Sequence, residues 1–378
     1  MHGIRLAVVG CVVLALSALS GTRAVAQSRP GPDGRIVQQT RCATHDLPYA
    51  GYVSRVEAEQ RAALATEEAW LRNLAKPSRG DTLAYEHERA GILAVRPAPR
   101  ARYDSAFHGG QFECLRIRYL SDGLQVVGFI FRPTDSATAT TTTTAATRRQ
   151  YPVIIFNRGG SREFGKNREV GLIPLSQYLR AGFVVVASQY RGNDGGEGQE
   201  EYGGADVNDV LNLLPLIRSL PYADTANVFM YGGSRGGLMT YAALARGAAV
   251  NAAAVLAAPT DAESGARDRP GLVEEIIAWV PGAARDRAEF YRRRSPLRWA
   301  EQIRTPVLIF HGTADAQVNP RDALRMAERL QELGRPYGLI MYPGDDHSVS
   351  RNREDLRRHV IEWFRAHMKT PGGGDRAP

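Results

Sequence analysis

From residue 151 onward, the sequence alternates between short apolar runs and longer amphipathic segments. The apolar runs are rich in Val, Ile and Ala, and we expect strands at 152–156, 183–187, 227–231, 252–257, 306–310 and 337–342. The amphipathic segments between them are long enough for helices, which we expect at about 170–181, 204–218, 235–246, 320–333 and 352–368. Buried strands separated by helices predict a mostly parallel, doubly wound α/β sheet with both faces covered.

The residues before this region are of two kinds. Residues 27–110 contain a segment rich in Ala, Glu and Arg at 54–75, which predicts an N-terminal helical extension. Strand-like runs follow at 112–119 and 125–131, and a Ser-Asp-Gly turn typical of a hairpin joins them. The hairpin and the alternating region together predict a single sheet domain over residues 111–370.

Three further segments interrupt this plan. The stretch 261–300 breaks the alternation and carries its own helical pattern at 272–280, so we expect a small helical insertion over the edge of the sheet. Residues 135–149 are of low complexity and rich in Thr, which predicts an exposed loop. Residues 371–378 are predicted to form a disordered tail.

The first 26 residues have the composition of a secretory signal peptide. A short basic start precedes the apolar run 6–19, and Ala24-Val25-Ala26 provides a cleavage site after Ala26. An uncleaved anchor is the competing interpretation, but the apolar run is shorter than the ~20 residues needed to span a bilayer. We therefore expect a periplasmic or secreted protein that has no membrane contact after cleavage.

Composition excludes several other classes of protein. Of the 378 residues, 43% are hydrophobic and 23% are charged, which argues against disorder and against a multi-span membrane protein. Clusters of Arg at 285–298 and 351–358 alternate with acidic residues, as on solvated helix faces, so we expect no nucleic-acid partner. Cys42 and Cys114 either form a disulfide that ties the N-terminal segment to the first strands or remain two buried thiols.

The most specific local motif is Gly-Gly-Ser-Arg-Gly at 232–236, directly between an expected strand and an expected helix. It contains the pattern G-x-S-x-G, in which a serine sits on a sharp, strained turn and small neighbours relieve the crowding. A Gly-rich turn without chemistry is the alternative reading. The strand-turn-helix context favours Ser234 as a nucleophile.

A serine nucleophile needs a base and an acid that orients the base, and both follow in the sequence. Asp315 follows the strand at 306–310, and His347 follows the strand at 337–342. The order Ser, Asp, His at strand ends is that of the α/β-hydrolase fold. Asp345 and Asp346 compete for the role of acid, but both adjoin the proposed base too closely to reach its far nitrogen.

An oxyanion hole requires two further donors, and we expect backbone N–H groups to provide them. One is the N–H of Arg235, the residue after the nucleophile, and the other lies near Arg158 and Gly159, after the strand at 152–156. His311 is expected to pack or to hydrogen-bond locally. The sequence shows no cofactor motif, and we expect neither a cofactor nor a metal ion.

Between about residues 112 and 368, the chain resembles the catalytic domain of the prolyl oligopeptidase family of serine peptidases. The matched stretches are 189–192, 203–210, 232–237, 295–296, 311–315 and 344–347. The resemblance implies an α/β-hydrolase fold with Ser234, Asp315 and His347 as catalytic triad. Two departures indicate a shorter, stand-alone relative: few residues precede the domain, and the loop Asn157–Gly160 lacks the Tyr that many of these peptidases carry there.

The sequence thus predicts a serine hydrolase, first a peptidase acting on short peptides. Hydrolysis of carboxylic esters is the alternative, because the same residues cleave the easier bond, and a non-catalytic binding protein is the minor one. The insertion at 261–300 and residues 37–110 are expected to shape the substrate pocket. Four aromatic residues of the insertion either line that pocket or pack the insertion onto the sheet: Trp279, Phe290, Tyr291 and Trp299.

Overall fold

A computed structural model describes residues 33–74, 76–134 and 149–369 of the chain. The predicted signal peptide, most of the Thr-rich loop and the predicted C-terminal tail lie outside these ranges. Among the described residues, no helix combines the length and the hydropathy required to cross a membrane.

A nine-stranded sheet forms the centre of the described structure. Its strands are β1 (Ile36–Arg41), β2 (Phe112–Ser121), β3 (Leu124–Pro133), β4 (Tyr151–Asn157), β5 (Val184–Ser188), β6 (Ala223–Gly233), β7 (Ala252–Leu256), β8 (Val307–Gly312) and β9 (Tyr337–Tyr342). Their order across the sheet is β1-β2-β3-β5-β4-β6-β7-β8-β9. The pairs β1–β2, β2–β3 and β3–β5 are antiparallel, and all pairs from β5–β4 to β8–β9 are parallel.

Twelve α-helices accompany these strands among the described residues. They are α1 (Tyr49–Asn73), α2 (Arg79–Ala94), α3 (Arg100–Phe107), α4 (Leu172–Arg180), α5 (Val207–Leu211), α6 (Leu213–Ser219), α7 (Arg235–Ala245), α8 (Ala262–Asp268), α9 (Pro270–Trp279), α10 (Arg287–Arg293), α11 (Arg321–Glu332) and α12 (Arg353–Ala366). Side chains of α5, α6, α7 and α11 belong to one buried cluster, and those of α3, α4 and α12 belong to another. The two clusters lie on opposite faces of the sheet, as the doubly wound prediction requires.

The apolar composition of the central strands follows from their double coverage. All five residues of β5 are buried, and its side chains contribute alternately to the two clusters: Val184 and Val186 to one, Val185 to the other. A parallel strand with helices on both faces has no solvent-facing side, so it shows a continuous apolar run.

The N-terminal extension differs from the prediction, because it is not purely helical. Residues Ile36–Arg41 add an edge strand to the sheet, and two further helices follow α1. Five of the six residues of this strand are exposed, so it carries little of the apolar pattern by which a strand is recognised in a sequence. Backbone pairing with β2 holds it in place.

A disulfide between Cys42 and Cys114 decides between the two alternatives left by the sequence. The two Cα atoms are 5.4 Å apart, and the Cys42 N–H donates to the Cys114 carbonyl at 2.9 Å. The extension is therefore tied covalently to β2 just after the end of β1.

Two helical regions are divided more finely than predicted. The single helix expected at 204–218 is two helices that meet at Asn212, because Pro215 lacks the N–H that would continue the first helix. The insertion contains three helices instead of one. Asp261 and Asp286 cap α8 and α10 through hydrogen bonds to backbone N–H groups, and Pro270 is the first residue of α9.

Candidate active site

Ser234 lies on a strained turn between β6 and α7. Its backbone has φ 55° and ψ −126°, a conformation that side-chain-bearing residues rarely adopt. A Cβ atom at Gly232 would lie 2.1 Å from the Gly236 carbonyl oxygen, and one at Gly236 would lie 2.0 Å from the Asn157 oxygen. The Ser234 N–H donates to the Leu256 carbonyl at 2.7 Å and fixes the turn to β7. Both glycines of the motif are therefore required by close contacts.

The structure brings Asp315 and His347 together at the ends of β8 and β9. His347 Nδ1 lies 2.7 Å from Asp315 Oδ2, which leaves the other ring nitrogen of His347 free of this contact. The second carboxylate oxygen of Asp315 accepts the backbone N–H groups of Gln317 and Val318 at 2.7 and 3.1 Å. The carboxylate is thus held in one orientation on both of its oxygens.

His311 also contacts this carboxylate. Its Nε2 lies 2.9 Å from Asp315 Oδ2 and 3.1 Å from the Val318 carbonyl oxygen, and both partners are acceptors, so Nε2 carries a proton. The side chain is fully buried at the end of β8. His311 was expected to pack or to hydrogen-bond locally, and it does form local hydrogen bonds, but its pairing with Asp315 was not predicted.

Electrostatics within this group favour a charged aspartate and a basic histidine. Burial alone would raise the pKa of Asp315, but the charge of His347 and the hydrogen bonds from His311 and His347 outweigh it and lower the pKa. Burial alone would lower the pKa of His347, but the charge of Asp315 and its hydrogen bond raise it above 6.5. This combination suits a histidine that accepts a proton from a neighbouring hydroxyl group.

The competing acids near His347 have structural roles in their own loop. Asp345 accepts hydrogen bonds from the backbone of Arg351 and Asn352, and Asp346 accepts them from Ser348 and Ser350. Neither carboxylate forms a hydrogen bond with His347 among the described contacts. Both therefore shape the loop that carries the histidine.

Two cavities meet at Ser234. The larger, a cleft of about 1090 Å³, is lined by Ser234, by His347 and by residues of α1, α4 and α12. The smaller pocket, about 100 Å³, lies between α7 and the insertion, and His347 is not among its lining residues. Its apolar walls come from Leu238, Leu272, Val273, Ile276, Phe290 and Val318.

Of the four aromatic residues predicted either to line a pocket or to pack the insertion, only Phe290 lines the smaller pocket. Trp279 and Tyr291 pack against the apolar cluster of the insertion. Trp299 belongs to the main core, where its Nε1 donates to the Arg292 carbonyl at 3.1 Å.

The groups predicted to form the oxyanion hole lie around Ser234. Arg235 is the first residue of α7, so its N–H has no acceptor within the helix. Gly159 packs against the turn, because a Cβ atom there would lie 3.4 Å from Ser234 Cβ. Arg158 stands beside it after β4, with a side chain that is almost fully buried.

The side chains of these arginines form a buried cluster that sequence reasoning missed. Arg235 donates to Glu200, to Asp206 Oδ2 at 2.6 Å and to the Gly160 carbonyl at 3.0 Å. Arg158 Nη2 lies 3.5 Å from the same Glu200. We call Arg158, Glu200, Asp206 and Arg235 the arginine cluster. Asp206 lies within the stretch 203–210 that resembles the family, and Glu200 lies just before it. Nothing in the spacing of these two acids indicates that they pair with arginines.

Comparison with known proteins identifies the family of the chain. A sequence profile of the prolyl oligopeptidase family matches residues 175–371. The chain belongs to the prolyl oligopeptidase family. The family assignment and the α/β-hydrolase fold predicted from the sequence are thereby confirmed, and the chain carries a serine-peptidase domain.

Relatives of several lengths share this domain. The uncharacterized peptidase YtmA of Bacillus subtilis is 28% identical over 251 residues, which are 66% of this chain and 92% of YtmA. The human acylamino-acid-releasing enzyme is 26% identical over 247 residues, 58% of this chain and 32% of that enzyme. This chain therefore spans nearly all of one relative and about a third of the other.

Solved structures show the same fold. The acylaminoacyl peptidase of Pyrococcus horikoshii superimposes with a TM-score of 0.58 at 22% identity, covering 74% of this chain and 46% of that one. A puromycin-hydrolyzing peptidase of Mycobacterium tuberculosis gives a TM-score of 0.56 at 24% identity, covering 74% and 42%.

Proposed function

We propose that the protein hydrolyses short peptides through an acyl-enzyme on Ser234, with His347 as base and Asp315 as the acid that orients it. The observation that carries this proposal is the position of Ser234 and the Asp315-paired His347 on the walls of one cleft. Relatives named as peptidases and acylamino-acid-releasing enzymes support a peptide substrate.

The reaction follows from the geometry in two stages. His347 removes the proton of the Ser234 hydroxyl as its oxygen attacks the carbonyl carbon, and Asp315 stabilises the imidazolium that forms. His347 then gives that proton to the departing amine, and the acyl group remains on Ser234. A water oxygen then attacks the acyl carbon while His347 accepts one of its protons. The ester bond to Ser234 breaks, His347 returns the proton to the serine oxygen, and the acid product leaves.

Negative charge develops on the carbonyl oxygen during both stages. Backbone N–H groups of Arg235 and of the Arg158–Gly159 segment are proposed to stabilise it. The arginine cluster holds these donors in place, because one guanidinium bonds both the acids behind the elbow and the Gly160 carbonyl. Loss of a single donor of this kind typically lowers kcat by about 10²–10³.

The smaller pocket suits the side chain that precedes the cleaved bond. Its walls are largely apolar, and its volume of about 100 Å³ fits a side chain of moderate size. We therefore propose a preference for apolar residues on the acyl side. Phe290, from the insertion, bounds the pocket and limits the length of that side chain.

Carboxylic-ester hydrolysis is the second candidate. The loop from Asn157 to Gly160 contains no hydroxyl donor, so stabilisation of the oxyanion depends on backbone groups. An ester, which has a better leaving group than an amide, requires less of that stabilisation. We also propose a periplasmic or secreted location, which the Cys42–Cys114 disulfide supports because such bonds persist in oxidising compartments.

A fluorophosphonate probe together with matched substrates tests the proposed chemistry. The protein should be labelled, Ser234→Ala should not, and the active form should cleave p-nitroanilides that carry an apolar acyl residue. Turnover confined to p-nitrophenyl esters would replace the peptidase assignment by an esterase. A folded protein that resists labelling would favour the non-catalytic binding protein.

A further inference from the structure

The position of His347 distinguishes the two cavities at Ser234 chemically. The histidine that takes the serine proton must deliver it to the leaving amine, so the leaving segment departs on the histidine side. His347 lines the large cleft but not the small pocket. The large cleft is therefore the side on which the leaving segment binds, and this step depends on the function proposed above.

The cleft contains more cations than the protein itself neutralises. Its two acids are already paired: Glu59 lies 3.6 Å from Arg168, and Glu163 lies 2.8 Å from Lys166. Another lining cation, Arg158, is paired with Glu200 in the arginine cluster. Among the described residues, the lining cations without a carboxylate partner are Arg96, Arg353 and Arg357.

Two of these cations lie one turn apart on α12. Arg353 is exposed, and among the described residues its side chain donates only to Ser350 Oγ, at 3.4 Å. Arg357 is half-buried, and among the described residues its side chain makes neither a hydrogen bond nor an ion pair. Burial, together with the like charge of Arg353, lowers the pKa of Arg357, although Tyr178 has the opposite effect. A partly desolvated guanidinium without an acidic partner has strong donors available for an anion.

The rest of this end of the cleft is apolar. The ring centroids of Tyr178 and Tyr231 lie 6.2 Å apart, and that of Phe156 lies 5.8 Å from that of Tyr231. Leu356, which lies between the two arginines in the sequence, also lines the cleft. Apolar walls strengthen an ion pair formed beside them, because water screens it less. The leaving segment of a peptide with a free C-terminus ends in a carboxylate, and apolar side chains along that segment would suit these walls.

We propose that the cleft binds the carboxyl-terminal segment of a peptide, with Arg357, assisted by Arg353, pairing with the terminal carboxylate. The substrate class is then a short peptide cut near its C-terminus. The balance is that of hydrolysis: water supplies OH to the acyl fragment and H to the released amine, and the terminal carboxylate is unchanged. Planar guanidinium donors match a carboxylate in a bidentate arrangement.

Two peptides that differ only at the C-terminus test this proposal. One ends in a free carboxylate and the other in a carboxamide. Each pair is prepared in a series in which the segment between the cleaved bond and the C-terminus becomes longer. The protein should cleave the carboxylate form with a kcat/KM about tenfold higher at one of these lengths, as expected for a charge-assisted hydrogen bond. Arg357→Gln should remove this preference and leave cleavage of the carboxamide within about twofold.

Arg358→Gln is the matched control, since it removes the same charge from α12 outside the cleft, where Arg358 pairs with Glu362. This variant should keep the preference. Equal kcat/KM for the two peptides at every length, or an equal loss for both in Arg357→Gln, would overturn the proposal.

Calorimetry on Ser234→Ala separates this inference from the proposed activity. Tighter binding of the carboxylate peptide to this variant, lost when Arg357→Gln is added, would support the site even if the wild-type protein cleaved neither peptide. In that case the peptidase assignment fails and the binding site stands. Cleavage of both peptides by the wild-type protein, together with equal affinity of the two peptides for Ser234→Ala, would sustain the peptidase and overturn the site.

Discussion

The two sides of Ser234 use charge in opposite ways. On one side, Asp315 carries two imidazole partners, and its contact with His347 lies at the wall of an open cleft. On the other side, Arg235 and Asp206 are fully buried and paired at 2.6 Å. In the proposed mechanism, the first arrangement moves a proton beside the substrate. The second is closed to the substrate, and its proposed effect is to fix the position of the backbone around Ser234.

The difference shows that a charged group next to a nucleophile need not take part in the chemistry. A guanidinium keeps its proton at all ordinary pH values, and the buried Arg235 side chain donates to Glu200, Asp206 and the Gly160 carbonyl. Imidazole, in contrast, titrates near neutral pH. The two sides should therefore respond differently to substitution and to pH.

The largest effect is expected on the proton-moving side. Asp315→Asn keeps the shape of the side chain but removes the charge that stabilises the His347 imidazolium, so kcat should fall by about 10⁴. Single-turnover kinetics on an ester substrate measure this loss, and circular dichroism checks that the variant is folded. Asp346→Asn is the control, because its retained oxygen can still accept the loop hydrogen bonds, and a comparable loss of kcat there would contradict the assignment.

On the arginine side, the main effect should be on stability. Arg235→Met leaves Glu200 and Asp206 without their main partner, and loss of one member of a buried ion pair costs about 3–5 kcal/mol. Urea unfolding measures this cost. The exposed Arg292, which pairs with Glu289 at the surface, gives the control Arg292→Met, for which we expect almost no change. A stable Arg235→Met protein would show that the cluster does not hold the elbow.

His311 should have a smaller, positional effect on the first side. Removing its donor by His311→Phe frees Asp315 from one of its hydrogen bonds and should lower kcat by about tenfold. His311→Gln can still donate an N–H to Asp315 and should recover most of the loss. Both variants change the buried volume. If the two proteins are equally stable and only Gln recovers kcat, the hydrogen bond of His311 positions Asp315. An equal loss of kcat in both variants would mean that His311 acts only through its packing.

The smallest effect is a shift in pH dependence. Because Asp315 raises the pKa of His347 above 6.5, the acidic limb of kcat/KM should lie above pH 6.5, with activity falling as His347 takes up a proton. The same shift stabilises the fold below pH 6.5, and this contribution is lost as pH rises through the pKa of the folded protein. Arg235 substitutions should leave the limb in place, and a limb that moved with them would contradict the separation of the two sides.

Much of the fold was predictable because it depends on local patterns. The inner parallel strands β4 to β8 are recognisable from their own residues, since a strand covered on both faces must be apolar. The strand at Ile36–Arg41 was missed because it is an exposed edge strand held by backbone pairing. The break at Asn212 was predictable in principle from Pro215, because proline cannot donate the hydrogen bond that continues a helix.

The sequence by itself determined the order of the chemistry: a serine on a glycine-flanked elbow, then an acid and a histidine, each after its own strand. Only the tertiary structure decided which groups meet. Parallel strands bring Asp315 and His347 to 2.7 Å across 32 residues of chain, and they place Arg235 against Glu200 across 35. Local spacing specifies turns and helices, but a contact between distant residues depends on sheet order and packing, which no short segment contains.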